Sequence, residues 1–162
     1  MQISNAGDQD KQEILVNNRW LKVISENLYL PNGIIIENFY TVERPAYSAI
    51  VPIFLNGDVL LVKQYRHGPK KDILNIPMGA LDGTEKPFET AQRELQEEAG
   101  YTSERMTFVG TFENAPSFLR LECHLFLAQG LREHQASTHD QNEDVTVVRL
   151  PLSKAMAMIS SG

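Results

Sequence analysis

Residues 79–101, GALDGTEKPFETAQRELQEEAGY, are the stretch on which the fold of this chain depends. Pro87 suits the first turn of a helix, and Gly100 suits the position just after its last turn. Between them, apolar residues recur at spacings of three, four and four, as on one face of a helix: Phe88, Ala91, Leu95 and Ala99. The stretch therefore predicts a loop that begins at Gly79, followed by a helix from Pro87 to Ala99.

Three glutamates lie beside this apolar face. At about 100° per residue, Glu98, Glu94 and Glu97 fall roughly 20°, 60° and 120° from the centre of the face. Glu94 and Glu98 are one turn apart, and like charges so placed repel one another, more strongly when they are partly buried. A hard divalent cation such as Mg²⁺ or Mn²⁺ relieves that repulsion. The alternative is a solvated acidic face, which most glutamate-rich helices present.

The spacing of the whole stretch favours the metal site. Arg93 lies on the opposite flank of the helix, and we expect it to pair with Glu85 of the preceding loop. The full pattern is Gly79, five residues, Glu85, seven residues, Arg93-Glu94-Leu95, one residue, Glu97-Glu98, one residue and Gly100. Such an arrangement arises by chance in roughly one of 10⁸ windows of average composition. It resembles the signature of the Nudix hydrolases, which cleave nucleoside diphosphates linked to another group. Tyr101 departs from that signature, in which an aliphatic residue is more common at this position.

The resemblance covers roughly residues 14–162 and points to the ADP-ribose pyrophosphatase branch of the family. It is carried by the segments ERPAYSAIVPI, LLVKQYR, NIPMGALDGTE, APSFLRLECHLFLA and NEDVTVVRLPL. In that branch Pro116, fifteen residues after the signature, marks a preference for ADP-ribose. Relatives that act on other nucleotide sugars share much of the pattern, so GDP-mannose and ADP-glucose stay open as substrates.

The resemblance also implies which residues bind metal and activate water. The metal is Mg²⁺, with Mn²⁺ possible, and its ligands are Glu94, Glu97, Glu98 and the main-chain carbonyl of Met78. Glu143, in the polar segment 132–144, resembles the catalytic base that deprotonates the attacking water. The acidity of that segment alone also explains Glu143, and Glu122 is the next candidate for the base. Structural roles in the signature fall to Gly79, Glu85, Arg93 and Gly100.

Four further residues are implied to bind substrate. Arg66 resembles a contact to the diphosphate, and an adenosine-binding surface is formed by Arg44, Tyr40 and Trp20. Each has a structural alternative, since the arginines suit surface ion pairs, Tyr40 suits a packed strand, and Trp20 suits a core or dimer position. The four histidines, His67, His124, His134 and His139, have no metal-ligand spacing.

Three departures from the branch affect the part of the substrate beyond the diphosphate. Ser117 stands where glycine is common, and Leu121 and Asn75 each stand where glutamate is common. These positions leave the substrate open within the family. A different class of function, a nucleotide-binding regulator without hydrolysis, is disfavoured because no glutamate of the signature is missing.

The remaining sequence predicts an α+β domain. Asn32-Gly33 and Asn56-Gly57 each separate two apolar runs and predict β-hairpins. Further strands are predicted for DILNIPMG, RMTFVGTFEN, LECHLFLAQGL and VTVVRLPL, and an amphipathic helix for SKAMAMIS. The resemblance implies an α/β/α sandwich with a central mixed sheet. We expect a mobile tail over 1–12, an antiparallel sheet over 13–45 that forms a homodimer and binds adenosine, and a Nudix domain over 46–162.

Composition excludes several classes of partner. The formal net charge of −6 argues against a general nucleic-acid binder. No apolar run approaches the roughly 20 residues that span a bilayer, and the polar N-terminus lacks the apolar core of a signal peptide. Cys123 is the single cysteine and forms no internal disulfide, which favours a cytoplasmic location. The expected partner is a nucleoside diphosphate derivative, hydrolysed with a metal ion.

Overall fold

A computed structural model describes residues 12–134 and 145–161. The elements of this part of the chain are β1 (Glu13–Asn17), β2 (Lys22–Tyr29), β3 (Ile35–Glu43), β4 (Tyr47–Ile53), β5 (Asp58–Arg66), β6 (Lys71–Asn75), β7 (Met78–Ala80), α1 (Pro87–Ala99), β8 (Tyr101–Glu113), β9 (Leu119–Arg120), β10 (Glu122–Glu133), β11 (Val145–Pro151) and α2 (Leu152–Ser161). Neither helix is long and apolar enough to cross a membrane.

The chain divides into two compact units. The first contains the described residues up to Pro45 together with Glu113–Glu122, and the second contains Ala46–Phe112 and the described residues from Cys123 onward. The first unit therefore takes in a segment that the predicted division at 45 and 46 assigns to the Nudix domain. Within the predicted tail, residues 1–11 lie outside the described part, and the Gln12 amide donates a hydrogen bond of 2.8 Å to Glu26.

The first unit is a four-stranded sheet in the order β1-β2-β3-β9. The Asn32-Gly33 hairpin joins β2 to β3, as predicted, and Gly33 adopts a φ of +85°, which favours glycine. The sequence does not indicate β9, a two-residue strand that pairs in parallel with Val42 and Glu43 of β3.

The second unit contains a seven-stranded mixed sheet whose main order is β11-β5-β4-β10-β8. Strand β4 pairs in parallel with β10, whereas the pairs β4–β5 and β5–β11 are antiparallel. The Asn56-Gly57 hairpin between β4 and β5 is confirmed. Farther along, β5 pairs with β6 and β4 pairs with β7.

The two helices cover opposite faces of this sheet. Leu60 packs with Ala91, Leu95 and Ala99 of α1, whereas its neighbours Val59 and Leu61 pack with Ala155 of α2. Because successive side chains of a strand point to opposite faces, these two clusters lie on the two sides of the sheet. The predicted sandwich with a mixed central sheet is confirmed.

The prediction of one strand over residues 72–79 is wrong. The segment forms two strands, β6 and β7, separated by Ile76 and Pro77. Pro77 has no N–H group to donate to a ladder, and its carbonyl accepts a hydrogen bond of 2.9 Å from the backbone of Ile50. This break lets β6 pair with β5 while β7 pairs with β4, so that Gly79 lies close to helix α1.

Candidate active site

Helix α1 has the bounds that its sequence predicts. Pro87 is its first residue, and Gly100 ends it with a left-handed φ of 72° and an N–H that donates to the carbonyl of Gln96. Its buried face contains the apolar residues Ala91, Leu95 and Ala99 and, beside them, Glu94 and Glu98. Two acidic side chains are thus buried next to an apolar core, at the positions where the helical spacing placed them.

Arg93 joins the loop to the helix through a fork of hydrogen bonds. Its Nε and Nη2 atoms donate to the two carboxylate oxygens of Glu85, each at 3.0 Å, which confirms the predicted pair. Its Nη1 atom donates to Glu94 at 2.6 Å and to Glu97 at 2.8 Å. Hydrogen bonding from Arg93, supported by the Thr90 hydroxyl, holds the pKa of Glu85 below its ordinary value. The same contacts, that with Glu85 foremost, raise the pKa of Arg93, so the guanidinium remains charged.

Gly79 leaves room for the carboxylate of Glu94. A Cβ atom at position 79 would lie 1.8 Å from Oε1 and 2.0 Å from Cδ of Glu94. No side chain fits there unless the carboxylate moves. Strand β7 places this glycine by pairing it with Ser48 of β4. Glycine at position 79 therefore allows the Glu94 carboxylate to lie against β7, which gives its place in the pattern a physical reason.

Glu98 is held by the backbone of β7. Its Oε2 atom accepts a hydrogen bond of 2.8 Å from the backbone N–H of Met78, and the residue is 6% exposed. The contact observed at Met78 thus involves its amide nitrogen, whereas the resemblance assigns a metal-binding role to its carbonyl. That role stays a prediction.

The chemistry of this cluster fits a hard divalent cation, although its carboxylates are not gathered around one point. Within residues 12–134 and 145–161, no three His, Cys, Asp or Glu side chains are close enough together to hold a metal ion. Arg93 instead supplies the positive charge next to Glu94 and Glu97. Carboxylate oxygens are the ligands that Mg²⁺ prefers. Two of the carboxylates, those of Glu94 and Glu98, are buried, and that of Glu94 lies against Gly79.

A model of the NUDIX domain matches residues 44–159. The chain belongs to the Nudix family. This Nudix hydrolase is 34% identical over 150 residues to the methanol dehydrogenase activator of Bacillus methanolicus, with 92% of this chain and 80% of that protein covered. It is 31% identical over 151 residues to the ADP-ribose pyrophosphatase of Bacillus subtilis (strain 168), with 93% and 81% covered.

A solved structure agrees with these sequence matches. The crystal structure of an ADP compounds hydrolase superposes with a TM-score of 0.77 at 27% identity, covering 97% of this chain and 86% of that chain. The Nudix fold and the resemblance to ADP-ribose pyrophosphatases that the sequence indicates are confirmed. Methionine at position 78 and tyrosine at position 101 are accommodated within the fold.

The predicted substrate contacts of this Nudix hydrolase are divided between the two units. Arg66 is the half-buried last residue of β5 in the second unit. Trp20, Tyr40 and Arg44 are exposed residues of the first unit, and the ring of Trp20 lies 4.3 Å from the guanidinium of Arg19. Trp20 is 58% exposed and Tyr40 is 55% exposed, so neither is a core residue.

The arginines among these predicted contacts are available for other charges. Neither Arg44 nor Arg66 forms an ion pair with any residue of the described ranges. The surface ion-pair alternative therefore has no support in this part of the structure. Their roles in binding substrate stay predictions.

The predicted catalytic base, Glu143, lies outside the described residues. The described chain leaves β10 at His134, whose backbone N–H donates to the carbonyl of Gly100 at 2.8 Å. It resumes at Val145, which pairs with Gln64 of β5. Glu122, the alternative base, is an exposed residue at the start of β10 in the first unit.

Two contacts escaped the sequence analysis. The ring of Tyr101 packs edge-on against Phe54, with centroids 5.6 Å apart, and its hydroxyl donates to Glu133 at 3.2 Å. Tyrosine at the end of the signature thus makes one aromatic contact and one polar contact. The second is a set of ion pairs around Arg120, in the segment that follows Pro116. Its partners are distant in sequence, so no local spacing could have revealed them.

Proposed function

We propose that this Nudix hydrolase cleaves the diphosphate of ADP-ribose to give AMP and ribose 5-phosphate. The observation that supports the proposal is the burial of two glutamates, Glu94 and Glu98, side by side on one helix at 8% and 6% exposure. Burial of neighbouring like charges is unfavourable. Arg93 already pairs with Glu94, and a divalent cation bound at the two carboxylates would supply further positive charge of the kind that such an acidic pair favours. The relative from Bacillus subtilis, which is named an ADP-ribose pyrophosphatase, supports this choice of substrate.

In this proposal the residues divide the chemistry as follows. Glu94, Glu97, Glu98 and the carbonyl of Met78 would hold the metal, Mg²⁺ or alternatively Mn²⁺. Such an ion would supply charge neutralisation at the diphosphate and orientation of the attacking water. Arg66 donates hydrogen bonds to diphosphate oxygens. Glu143 accepts the proton of the water, whose oxygen forms a new bond to phosphorus as the bridging phosphorus–oxygen bond breaks.

The assembly and location proposed for the protein follow the resemblance. The N-terminal sheet forms a homodimer interface, and Trp20, Tyr40 and Arg44 bind adenosine. The exposed apolar side chains of that sheet, including Ile14, Val16, Ile34 and Ile35, are compatible with an interface. A single cysteine, buried and free, is compatible with the cytoplasm.

A second substrate, GDP-mannose or ADP-glucose, is favoured by Ser117, Leu121 and Asn75, which differ from the ADP-ribose pyrophosphatase pattern. A nucleotide-binding regulator without hydrolysis is the third candidate, and a relative is named a methanol dehydrogenase activator. The substrate candidates are separated by incubating the protein with each nucleotide sugar and Mg²⁺. Added phosphatase then converts the released monoester to measurable inorganic phosphate.

The decisive variant is Glu98→Gln. The amide oxygen of glutamine can still accept the hydrogen bond from Met78, so the fold is retained while the negative charge is removed. We expect kcat for ADP-ribose to fall by at least about 100-fold, which corresponds to a few kcal/mol of transition-state stabilisation. Glu94→Gln should have an effect of the same order.

Glu89→Gln is the matched control, because Glu89 is an exposed glutamate of the same helix whose contact to the backbone of Lys86 also needs only an acceptor oxygen. It should turn over ADP-ribose at the wild-type rate. Wild-type turnover by Glu98→Gln at matched Mg²⁺ would show that Glu98 is not a metal ligand. Failure of the wild type to release monoester from any of the three nucleotide sugars would refute the proposed function.

A further inference from the structure

The segment Glu113–Glu122 is folded back onto strand β3 by few backbone contacts. The backbone N–H of Val42 donates to Phe118 at 2.9 Å, and that of Arg44 donates to Arg120 at 3.2 Å. At the base of the loop, the N–H of Asn114 donates to the carbonyl of Leu121 at 3.0 Å. These bonds flank the pairing of the two-residue strand β9 with β3, and so short a strand holds an exposed loop only weakly.

The side chain of Arg120 adds a second attachment. Its Nη1 atom pairs with Glu43 of β3, and its Nη2 atom lies 3.2 Å from Glu26 of β2. Glu26 also accepts a hydrogen bond of 2.6 Å from the hydroxyl of Thr41. The fork of a single arginine therefore connects the loop to two neighbouring strands of the same unit. Hydrogen bonding from Arg120 is the largest cause of the lowered pKa of Glu43.

The charges in this cluster balance. Arg120 and Lys22 face the carboxylates of Glu26 and Glu43, with Lys22 Nζ lying 3.3 Å from Glu43. Both terminal nitrogens of Arg120 are engaged by carboxylates. A guanidinium so occupied is poorly placed to bind a phosphate, and a neutral cluster does not attract an anionic substrate. The ion pairs of this cluster are therefore suited to holding the loop against the sheet.

A cavity lies between the loop and the two strands. Its volume is about 310 Å³, and its wall includes Leu28 and Phe39 of the strands and Pro116, Phe118 and Arg120 of the loop. The width of this cavity depends on how closely the loop is held to the sheet. The loop contains both Pro116, which matches the ADP-ribose pyrophosphatase pattern, and Ser117, which departs from it.

We propose that Arg120 is a positioning residue for substrate selection, which acts by holding residues 116–119 against β2 and β3 through its ion pairs with Glu26 and Glu43. The inference rests on the proposed function of the protein as a nucleotide-sugar hydrolase. Arg120 itself touches neither the diphosphate nor the attacking water. Arg120 is more than half exposed, so its ion pairs contribute little to global stability, yet their loss lowers several-fold the population in which residues 116–119 are held against β2 and β3.

Steady-state kinetics on ADP-ribose and GDP-mannose test this role with three variants. We expect Arg120→Met to raise KM for ADP-ribose by about three- to tenfold, with kcat within twofold of wild type. The preference for one substrate over the other, measured as the ratio of kcat/KM values, should fall by a similar factor. Arg120→Lys, which restores the charge and can form one of the two ion pairs, should recover part of the loss.

Arg132→Met is the matched control, because Arg132 forms an exposed ion pair with Glu104 in the second unit. It should leave KM, kcat and the substrate preference unchanged. An Arg120→Met enzyme with wild-type KM and preference would overturn the proposal. A fall in kcat with KM and preference unchanged would also overturn it, since that is the result of a smaller folded fraction.

Hydrogen exchange measured without substrate separates this inference from the proposed function. In Arg120→Met, the backbone amides of Val42, Arg44 and Asn114 should exchange several-fold faster than in wild type, whereas Arg132→Met should leave them unchanged. Unaltered exchange at these amides would refute the positioning role even if the protein hydrolyses ADP-ribose. Faster exchange in a protein that hydrolyses none of the nucleotide sugars would refute the proposed substrate class and leave the attachment of the loop by Arg120 established.

Discussion

Arg93 and Arg120 each bind several carboxylates, but in opposite settings. Arg93 binds Glu85, only eight residues away in the chain, and the side chain of Glu85 is 19% exposed. Arg120 binds Glu26 and Glu43, which are 94 and 77 residues away. The Glu26 side chain is also 19% exposed, but Glu43 is 31% exposed, and Arg120 itself is 55% exposed against 32% for Arg93. The first network builds the interior of a site, and the second attaches a loop to a sheet.

The difference between them lies in what happens when the arginine is lost. Around Arg93, the carboxylates of Glu85 and Glu94 are mostly shielded from water, so an unpaired charge there is costly. Around Arg120, Glu26 keeps its hydrogen bonds from Thr41 and Gln12, and Glu43 keeps its pair with Lys22, when the arginine is lost, so the net energy of the Arg120 pairs is small. The same side-chain chemistry therefore stabilises the fold in one place and only orders a segment in the other.

The largest expected effect comes from removing each arginine in turn. We expect Arg93→Met to lower the free energy of unfolding by about 2–4 kcal/mol, since it removes the positive charge beside partly buried carboxylates. Arg120→Met should lower it by less than about 1 kcal/mol. Urea denaturation of both variants measures the contrast. Equal losses would show that burial does not distinguish the two networks.

An intermediate effect is expected at Gly79. In Gly79→Ala the new methyl group meets the carboxylate of Glu94, which is the mobile end of a side chain and can move aside. We expect a cost of about 1–2 kcal/mol in the free energy of unfolding, and a loss of turnover larger than this cost implies, because Glu94 leaves its place beside Arg93. Turnover and denaturation midpoints measure both effects.

Gly68→Ala is the control for that substitution, because an added Cβ atom at Gly68 meets nothing within 4 Å. It should match wild type in turnover and stability. A Gly79→Ala enzyme with the turnover of Gly68→Ala would show that the position of the Glu94 carboxylate is not critical.

The smallest expected effect is a dependence of stability on pH. The pKa values of Glu85 and Glu43 are lowered in the folded protein, each with hydrogen bonding from its arginine as the largest cause. A carboxyl with a lowered pKa stabilises the fold above its ordinary pKa of about 4.3, and this stabilisation is lost as pH falls below that value. The free energy of unfolding should therefore fall between pH 6 and pH 3.

Two substitutions show which carboxyl group causes the pH dependence of stability. Glu85→Gln should remove a larger part of it than Glu43→Gln, by an amount on the order of 1 kcal/mol, because Glu85 is the more buried carboxyl. Urea denaturation at both pH values provides the measurement. An unchanged pH dependence in Glu85→Gln would show that other carboxyl groups are responsible.

The first network was predictable and the second was not, and the reason is physical. A helix converts a spacing of three or four residues into a shared face, so the bounds of α1, the buried positions of Glu94 and Glu98 and the pair of Arg93 with Glu85 followed from local sequence. The partners of Arg120 are brought together by the tertiary fold, and strand β9 has only two residues, too few for any alternation of polarity.

Other outcomes follow the same division. Both Asn-Gly hairpins were predicted because a turn requires residues that are adjacent in sequence. Residues 72–79 form two strands because β6 pairs with β5 and β7 pairs with β4. These pairings are set by the tertiary fold, and the presence of Pro77 alone did not predict them. The hydrogen bond from the Met78 amide to Glu98 could not be predicted either, since every residue but proline has a backbone N–H and the sequence does not show which one meets Glu98.

The order of strands in the second sheet has a consequence for how the protein folds in time. Strand β4 pairs along its whole length with β10, and β5 pairs with β11, so both strands pair with partners that are synthesised only after helix α1. Helix α1 leaves the ribosome before the sheet on which it packs is complete. Proteins dominated by such distant pairings fold slowly, and their exposed strands are open to association in the meantime. We expect refolding of the second unit to be limited by the closure of β4 with β10 and of β5 with β11, while α1 forms its backbone hydrogen bonds much earlier.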